Sequence, residues 1–331
     1  VPVTFTQRVT GFDLADLRLT LCGSPVSLAG TTISTSDNIS YTLTLPAAAT
    51  TPEGNYVLTV VAAGSGIVNI INNPLSADGS ASFTVDRPPT VSISPITPTP
   101  RNTPVTTATV VFSEAVTGFD AADLSMTRGG TPVSLAGASV STLNNITFTV
   151  TLPAAASSVT GDYVLSLLAA GSGITDLTNN PLASDGSQGF VVDLLPPTAT
   201  IDAVTPDPRI TPVTSIIVRF SEIVTGVDLT DFQLLRNGSN VPLTGATLSS
   251  PDNLVFTVGN LTALTMADGN YTFTVNAGLG ITDTAGNGLA SSVSRSFAID
   301  LTAPVATIDA VTPDPRITPV TSIIVRFSEI V

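Results

Sequence analysis

A self-repeat of about one small domain governs what this chain can fold into. Phe-Thr-Gln-Arg-Val-Thr-Gly-Phe-Asp from Phe5 returns as Phe-Ser-Glu-Ala-Val-Thr-Gly-Phe-Asp from Phe112 and as Phe-Ser-Glu-Ile-Val-Thr-Gly-Val-Asp from Phe220, and a further copy opens at Phe327. The steps are 107, 108 and 107 residues. Gly54-Asn55-Tyr56, Gly161-Asp162-Tyr163 and Gly269-Asn270-Tyr271 keep the same spacing, and Phe83, Phe190 and Phe297 follow at steps of 107 and 107. Constant register over three copies means one unit folded three times. The expected boundaries are 1–86 for repeat 1, without its first strand, 87–193 for repeat 2, 194–300 for repeat 3 and 301–331 for the first strands of a fourth. Residues 197–224 and 304–331 differ only at Thr198 against Val305. The phase of the repeat leads to the expectation of a window on a longer tandem array, with residues 301–331 pairing onward or completing a neighbouring chain by strand exchange.

Within a copy the apolar residues alternate. Ile146, Phe148, Val150 and Leu152 point one way and Thr147, Thr149 and Thr151 the other; Ile39, Tyr41, Leu43 and Leu45 repeat the pattern, as do Leu254, Phe256 and Val258. This two-residue period marks half-buried strands, and no segment sustains a helical period. About seven short strands per copy, separated by Gly and Pro turns, predict an all-β fold of tandem immunoglobulin-like antiparallel β-sandwiches. The Gly-x-Tyr that opens the sixth strand has the form of a tyrosine corner. The copies meet at Asp86-Arg87-Pro88-Pro89, Asp193-Leu194-Leu195-Pro196-Pro197 and Asp300-Leu301-Thr302-Ala303-Pro304. Proline fixes its own φ and extends its predecessor, so these joints are expected to be stiff, each repeat adding roughly 35–45 Å to a rod.

Composition removes most chemistry. The chain has no His, no Lys, no Trp and a single Cys, Cys22, so it can build no Ser/His/Asp or Cys/His triad, no His-ligated or cysteine-cluster zinc site and no Schiff base. The absence of Lys also excludes Lys–Asn isopeptide cross-links. A net charge of −14 repels nucleic acid and anionic lipid headgroups. No apolar run is long enough to cross a membrane. Glu114, Glu222 and Glu329 correspond to Gln7 in the first copy, which keeps the hydrogen-bonding shape and loses the titration; the position is expected to hold a loop rather than to move protons. The chain is therefore not expected to be an enzyme.

The Phe-Ser-Glu-x-Val-Thr-Gly-Phe of Phe112 to Phe119 with Asp123-Leu124, the Asp268-Gly269-Asn270-Tyr271 and the Thr282-Asp283-Thr284-Ala285-Gly286-Asn287 resemble the bacterial Ig-like repeats of very large surface and secreted proteins. The resemblance covers essentially the whole chain. It implies an extracellular or cell-surface protein that acts as a stalk, spacer, adhesive array or filament subunit. It also implies calcium sites in which Asp176 and Asp283 join the junction acids Asp193 and Asp300, since some relatives stiffen in calcium. Against such a site, Asn69 replaces the loop acid in the first copy and Ser94 stands where the third has Asp202. Asn73, Asn180 and Asn287 are read as left-handed turn residues. The pairs Asp13/Asp16, Asp120/Asp123 and Asp228/Asp231 read as caps of short helical turns.

Mean hydropathy is +0.43 with only 11% charged residues. Val164 and Leu168 fall on the outer side of their strand, an association hazard unless loops such as Val133 to Gly137 or another chain cover them. The expected partner is the protein itself, through end-to-end continuation and lateral association in a fibre; the alternative is an adhesin module presenting a surface to a glycan or host protein.

Overall fold

A computed structural model describes all 331 residues. Repeat 2 shows the unit whole. One sheet runs in the order Val91–Ile93, Thr107–Phe112, Thr147–Thr151, Ser139–Thr142, and the other Thr131–Val133, Leu124–Arg128, Gly161–Leu167, Gly186–Val192, with every pairing antiparallel. Repeat 3 copies this order strand for strand. Repeat 1 keeps the second sheet, but its first sheet has three strands, Pro2–Thr4, Ser40–Thr44 and Thr32–Thr35, with Pro2–Thr4 at the edge. Ala306–Ile308 and Val325–Phe327 form a separate hairpin. The only helical pieces are single 3-10 turns.

The alternation read from the sequence is the burial pattern of the strands. In Thr147–Thr151 the buried residues are Phe148 and Val150, and the threonines between them face solvent. They meet Leu124, Met126, Leu165 and Leu167 of the opposite sheet in one core of 21 buried residues. Burying each such side chain stabilises the sandwich by about 1.5–3 kcal/mol, the term that offsets chain entropy. Tyr163 stacks on Phe190 with ring centroids 5.2 Å apart, and Tyr56–Phe83 and Tyr271–Phe297 repeat the stack. Each tyrosine hydroxyl donates to the carbonyl four residues earlier: Pro52 at 2.8 Å, Val159 at 2.6 Å and Ala267 at 2.8 Å. These are the tyrosine corners, which satisfy a polar atom at the rim of an apolar core.

The Val-Thr-Gly motif has a steric reason. Gly118 lies at φ +89°, and a Cβ there would stand 2.6 Å from the carbonyl oxygen of Gly173; Gly11 and Gly226 are held in the same way. The Asp pairs cap the turns that follow: Asp120 accepts the N–H of Ala122, and Asp123 accepts that of Asp120 at 2.9 Å. Two expectations are corrected. The residues with positive φ in the loop after the short strand are Asn72, Asn179 and Gly286, one place before Asn73, Asn180 and Asn287. And the Val133–Gly137 loop does not cover the outer strand, for Val164 and Leu168 remain 41% and 48% exposed. Alternation sends both side chains away from the core, and Val164 is flanked on its two sides only by Thr127 and Gly189.

Candidate metal centres at the repeat joints

Asp86 leaves the last strand of repeat 1, Gly79–Val85, and lies against a loop of repeat 2. That loop follows Thr175–Asp176, a two-residue strand paired with Val116–Thr117, which fixes Asp176 beside the turn that carries Glu114. Asp176 Oδ1 accepts the N–H groups of Thr178 and Asn180 at 2.8 and 2.9 Å, closing the loop, and Oδ2 accepts Asn180 Nδ2 at 2.9 Å. The Asp86 carboxylate accepts the Thr178 hydroxyl and, at 3.0 Å, Asn180 Nδ2. Carboxylate oxygens of Asp86, Glu114 and Asp176 thereby lie within 4.8 Å of one another.

The next joint repeats the arrangement with Asp193, Glu222 and Asp283, again within 4.8 Å. Asp283 Oδ1 accepts the N–H of Ala285 and of Asn287, both at 2.8 Å. Asn287 Nδ2 bridges Asp283 Oδ2 and the Asp193 carbonyl, each at 2.8 Å. A second link crosses this joint, where Asn102 Nδ2 of repeat 2 donates to the Gly286 carbonyl at 2.8 Å. Asn102 belongs to the loop after the first strand, whose Arg101 is tied to the last strand of its own repeat: its N–H donates to the Val191 carbonyl and its carbonyl accepts the N–H of Asp193.

No basic side chain pairs with either trio, and against the opposing effect of burial the hydrogen bonds from Asn180 and Thr178 hold the Asp176 carboxyl below its usual range. Burial, and then the charges of Asp176 and Asp86, hold the Glu114 carboxyl above the usual range; burial, Asp283 and Asp193 do the same to Glu222. The two ion pairs of the chain, Arg219–Asp202 and Arg326–Asp309, involve neither group. Three close carboxylates with only oxygen donors fit a hard divalent cation such as calcium and offer nothing to a soft metal. A cation there would tie the end of one repeat to two turns of the next.

Of the four acids named from the sequence, Asp176, Asp193 and Asp283 lie in these trios. Asp176 meets Asp86 rather than Asp193, and Asp283 meets Asp193 rather than Asp300, because each loop lies at the end of its repeat that receives the preceding chain. Asp300 belongs to neither trio; its Oδ1 accepts the N–H of Thr302 at 3.2 Å. Glu114 and Glu222, expected to hold a loop, complete the trios. A signal for this was present: in repeat 1 the glutamate and the aspartate change together, to Gln7 and Asn69. Asp202, weighed as a junction acid, is instead paired with Arg219 at 2.9 Å. Cys22 is exposed in the turn between two strands, with φ 48°, and has no thiol partner.

Two family models, both described as "Bacterial Ig-like domain", match residues 86–191 and 196–299 in tandem. Among solved structures, an I-band fragment of titin is 13% identical over 92% of this chain and 93% of its own length, with a TM-score of 0.29. The N-terminal eight Ig domains of Down Syndrome Cell Adhesion Molecule are 11% identical over 86% of this chain and 37% of theirs, with a TM-score of 0.21. Scores this low bear neither on how repeats are arranged nor on function. No curated protein matches the chain. No helix is long and apolar enough to cross a membrane. Ig-like domains of this kind are typically structural modules without enzymatic activity, usually of extracellular or surface proteins. The chain belongs to the bacterial Ig-like domain family, as a tandem array of its β-sandwich repeats.

Proposed function

We propose that the chain is a load-bearing spacer in an extracellular bacterial fibre or surface array, whose joints are made rigid by divalent cations, calcium in the first place. One observation carries the reading: at both complete joints the aspartate that ends one repeat shares an acidic trio with two turns of the next. Nothing in a free sandwich requires this placement, since repulsion among the three carboxylates destabilises the joint until a cation is bound. A cation held by Asp86, Glu114 and Asp176, or by Asp193, Glu222 and Asp283, turns that repulsion into a clamp between repeats. Proline in each linker and the Asn102–Gly286 hydrogen bond limit bending in the same direction.

Antibodies raised against the 331-residue chain, applied to intact cells of the producing bacterium, test the placement. Surface labelling on extended material is the expected result. Labelling that appears only after lysis contradicts it.

A further inference from the structure

The receiving face of repeat 1 differs from its two counterparts in one chemical respect. Gln7 stands where repeats 2 and 3 have Glu114 and Glu222, and Asn69 where they have Asp176 and Asp283, while Asn73 keeps the place of Asn180 and Asn287. The loop is nevertheless folded alike. Asn69 is 7% exposed, and its Oδ1 accepts the N–H groups of Ile71 and Asn73, both at 3.0 Å, as Asp176 Oδ1 does for Thr178 and Asn180. Two backbone donors on one atom identify it as the oxygen, so the other atom is the N–H donor, and it has no acceptor in the protein. The side-chain amides of Asn73 and Gln7 are likewise without partners. These groups line a recess of about 280 Å³ together with Phe5 and Leu75. In repeats 2 and 3 the strand equivalent to Pro2–Thr4 pairs with Val91–Ile93 and Ala199–Ile201, the stretches that follow the incoming linkers.

We infer that this recess binds an aspartate-bearing extended segment, the linker and first strand of an Ig-like unit, without a metal ion. The occupant follows from the complete joints. In repeat 2 the same position receives the Asp86 carboxylate, held by Asn180 Nδ2 at 3.0 Å, and the chain then runs on to pair as Val91–Ile93. There the incoming carboxylate faces two more acids and needs a cation. In repeat 1 it faces neutral N–H donors, and hydrogen bonds to a carboxylate supply the compensation themselves. Ile71 in place of Thr178 removes one hydroxyl donor, which the Asn69 amide replaces. The inference rests on the cation reading of the other two joints, of which it is the metal-free counterpart: the array would keep a joint that calcium withdrawal does not loosen.

The test titrates a fluorescein-labelled peptide of residues 299–308 into the full chain and follows anisotropy. Saturable binding in EGTA that does not change on adding calcium is expected. A peptide with Asp300→Asn is expected to bind about tenfold more weakly, the loss of charge-assisted hydrogen bonds. The chain variant Asn69→Asp, which installs the residue of the sibling repeats, is expected to bind only when calcium is added, with circular dichroism melting as the check that repeat 1 is folded. Absence of saturable binding, equal affinity for the two peptides, or calcium dependence in the unaltered chain each overturns the inference. Surface labelling of cells is read separately, so failure of the spacer reading leaves these titrations unaffected.

Discussion

Tyr163 and its two counterparts combine two roles in one side chain. The ring stacks within the core, and the hydroxyl donates to a carbonyl at the rim. Replacing it with Phe leaves the stack and orphans the Val159 carbonyl. Tyr163→Phe is therefore expected to lower the stability of repeat 2 by about 1 kcal/mol, read from urea denaturation with an unchanged slope. Asp231 is the opposite case, a carboxylate that the fold strains. It is fully buried, Oδ2 accepts the N–H of Asp228 at 2.7 Å, and Oδ1 has no partner. Burial, and to a lesser extent the charge of Asp228, raise its pKa above the ordinary 3.8. A raised folded-state value means that the native state holds the proton more tightly, so stability is full below 3.8 and is lost as pH rises through the elevated value. In metal-free buffer, Asp231→Asn should remove that decline. An unchanged difference in melting temperature between pH 4 and pH 7 would show that the carboxylate is not strained.

At the level of elements, the strands were legible because a buried face imposes a period of two, and the aromatic positions followed from it. The turns were legible only where sterics leave a single solution. Gly118 is such a place, with its φ of +89° and a carbonyl oxygen 2.6 Å from any added Cβ, whereas Gly137 has φ +93° with open space around it. Gly118→Ala is expected to cost at least about 2 kcal/mol and Gly137→Ala about 1 kcal/mol, the strain of positive φ alone, measured by thermal unfolding. The positive-φ residue of the loop after the short strand was misplaced by one, since Asn72 and Asn179 stand directly beside Asn73 and Asn180, and composition cannot say which of two adjacent asparagines turns the chain. The joints were legible in part. Which linker acid meets which loop acid depends on the end of the sandwich at which the loop lies, and no spacing in a single chain records that. The Gln7 and Asn69 exchange was the trace it left.

For the whole molecule, the proposed cation clamps would put the mechanically decisive chemistry at the joints. Calcium at a hundred times its dissociation constant should stabilise a joint by about 2.7 kcal/mol, visible as a rise in melting temperature. Glu222→Gln with Asp283→Asn, which copies repeat 1 into repeat 3, should abolish the share of that rise due to the second joint and leave the share of Asp86, Glu114 and Asp176. The cores, by contrast, should melt alike in calcium and in chelator once the joints are lost. With their acidic trios occupied, the repeats are proposed to form one in-line, stiff body. Small-angle X-ray scattering of the chain in calcium and in EGTA tests this most directly. A rod-like profile is expected in calcium, with a maximum dimension that grows by roughly 35–45 Å per repeat, and a shorter mean dimension with interdomain flexibility in EGTA. A compact particle in calcium, or identical flexible profiles in both buffers, would contradict it.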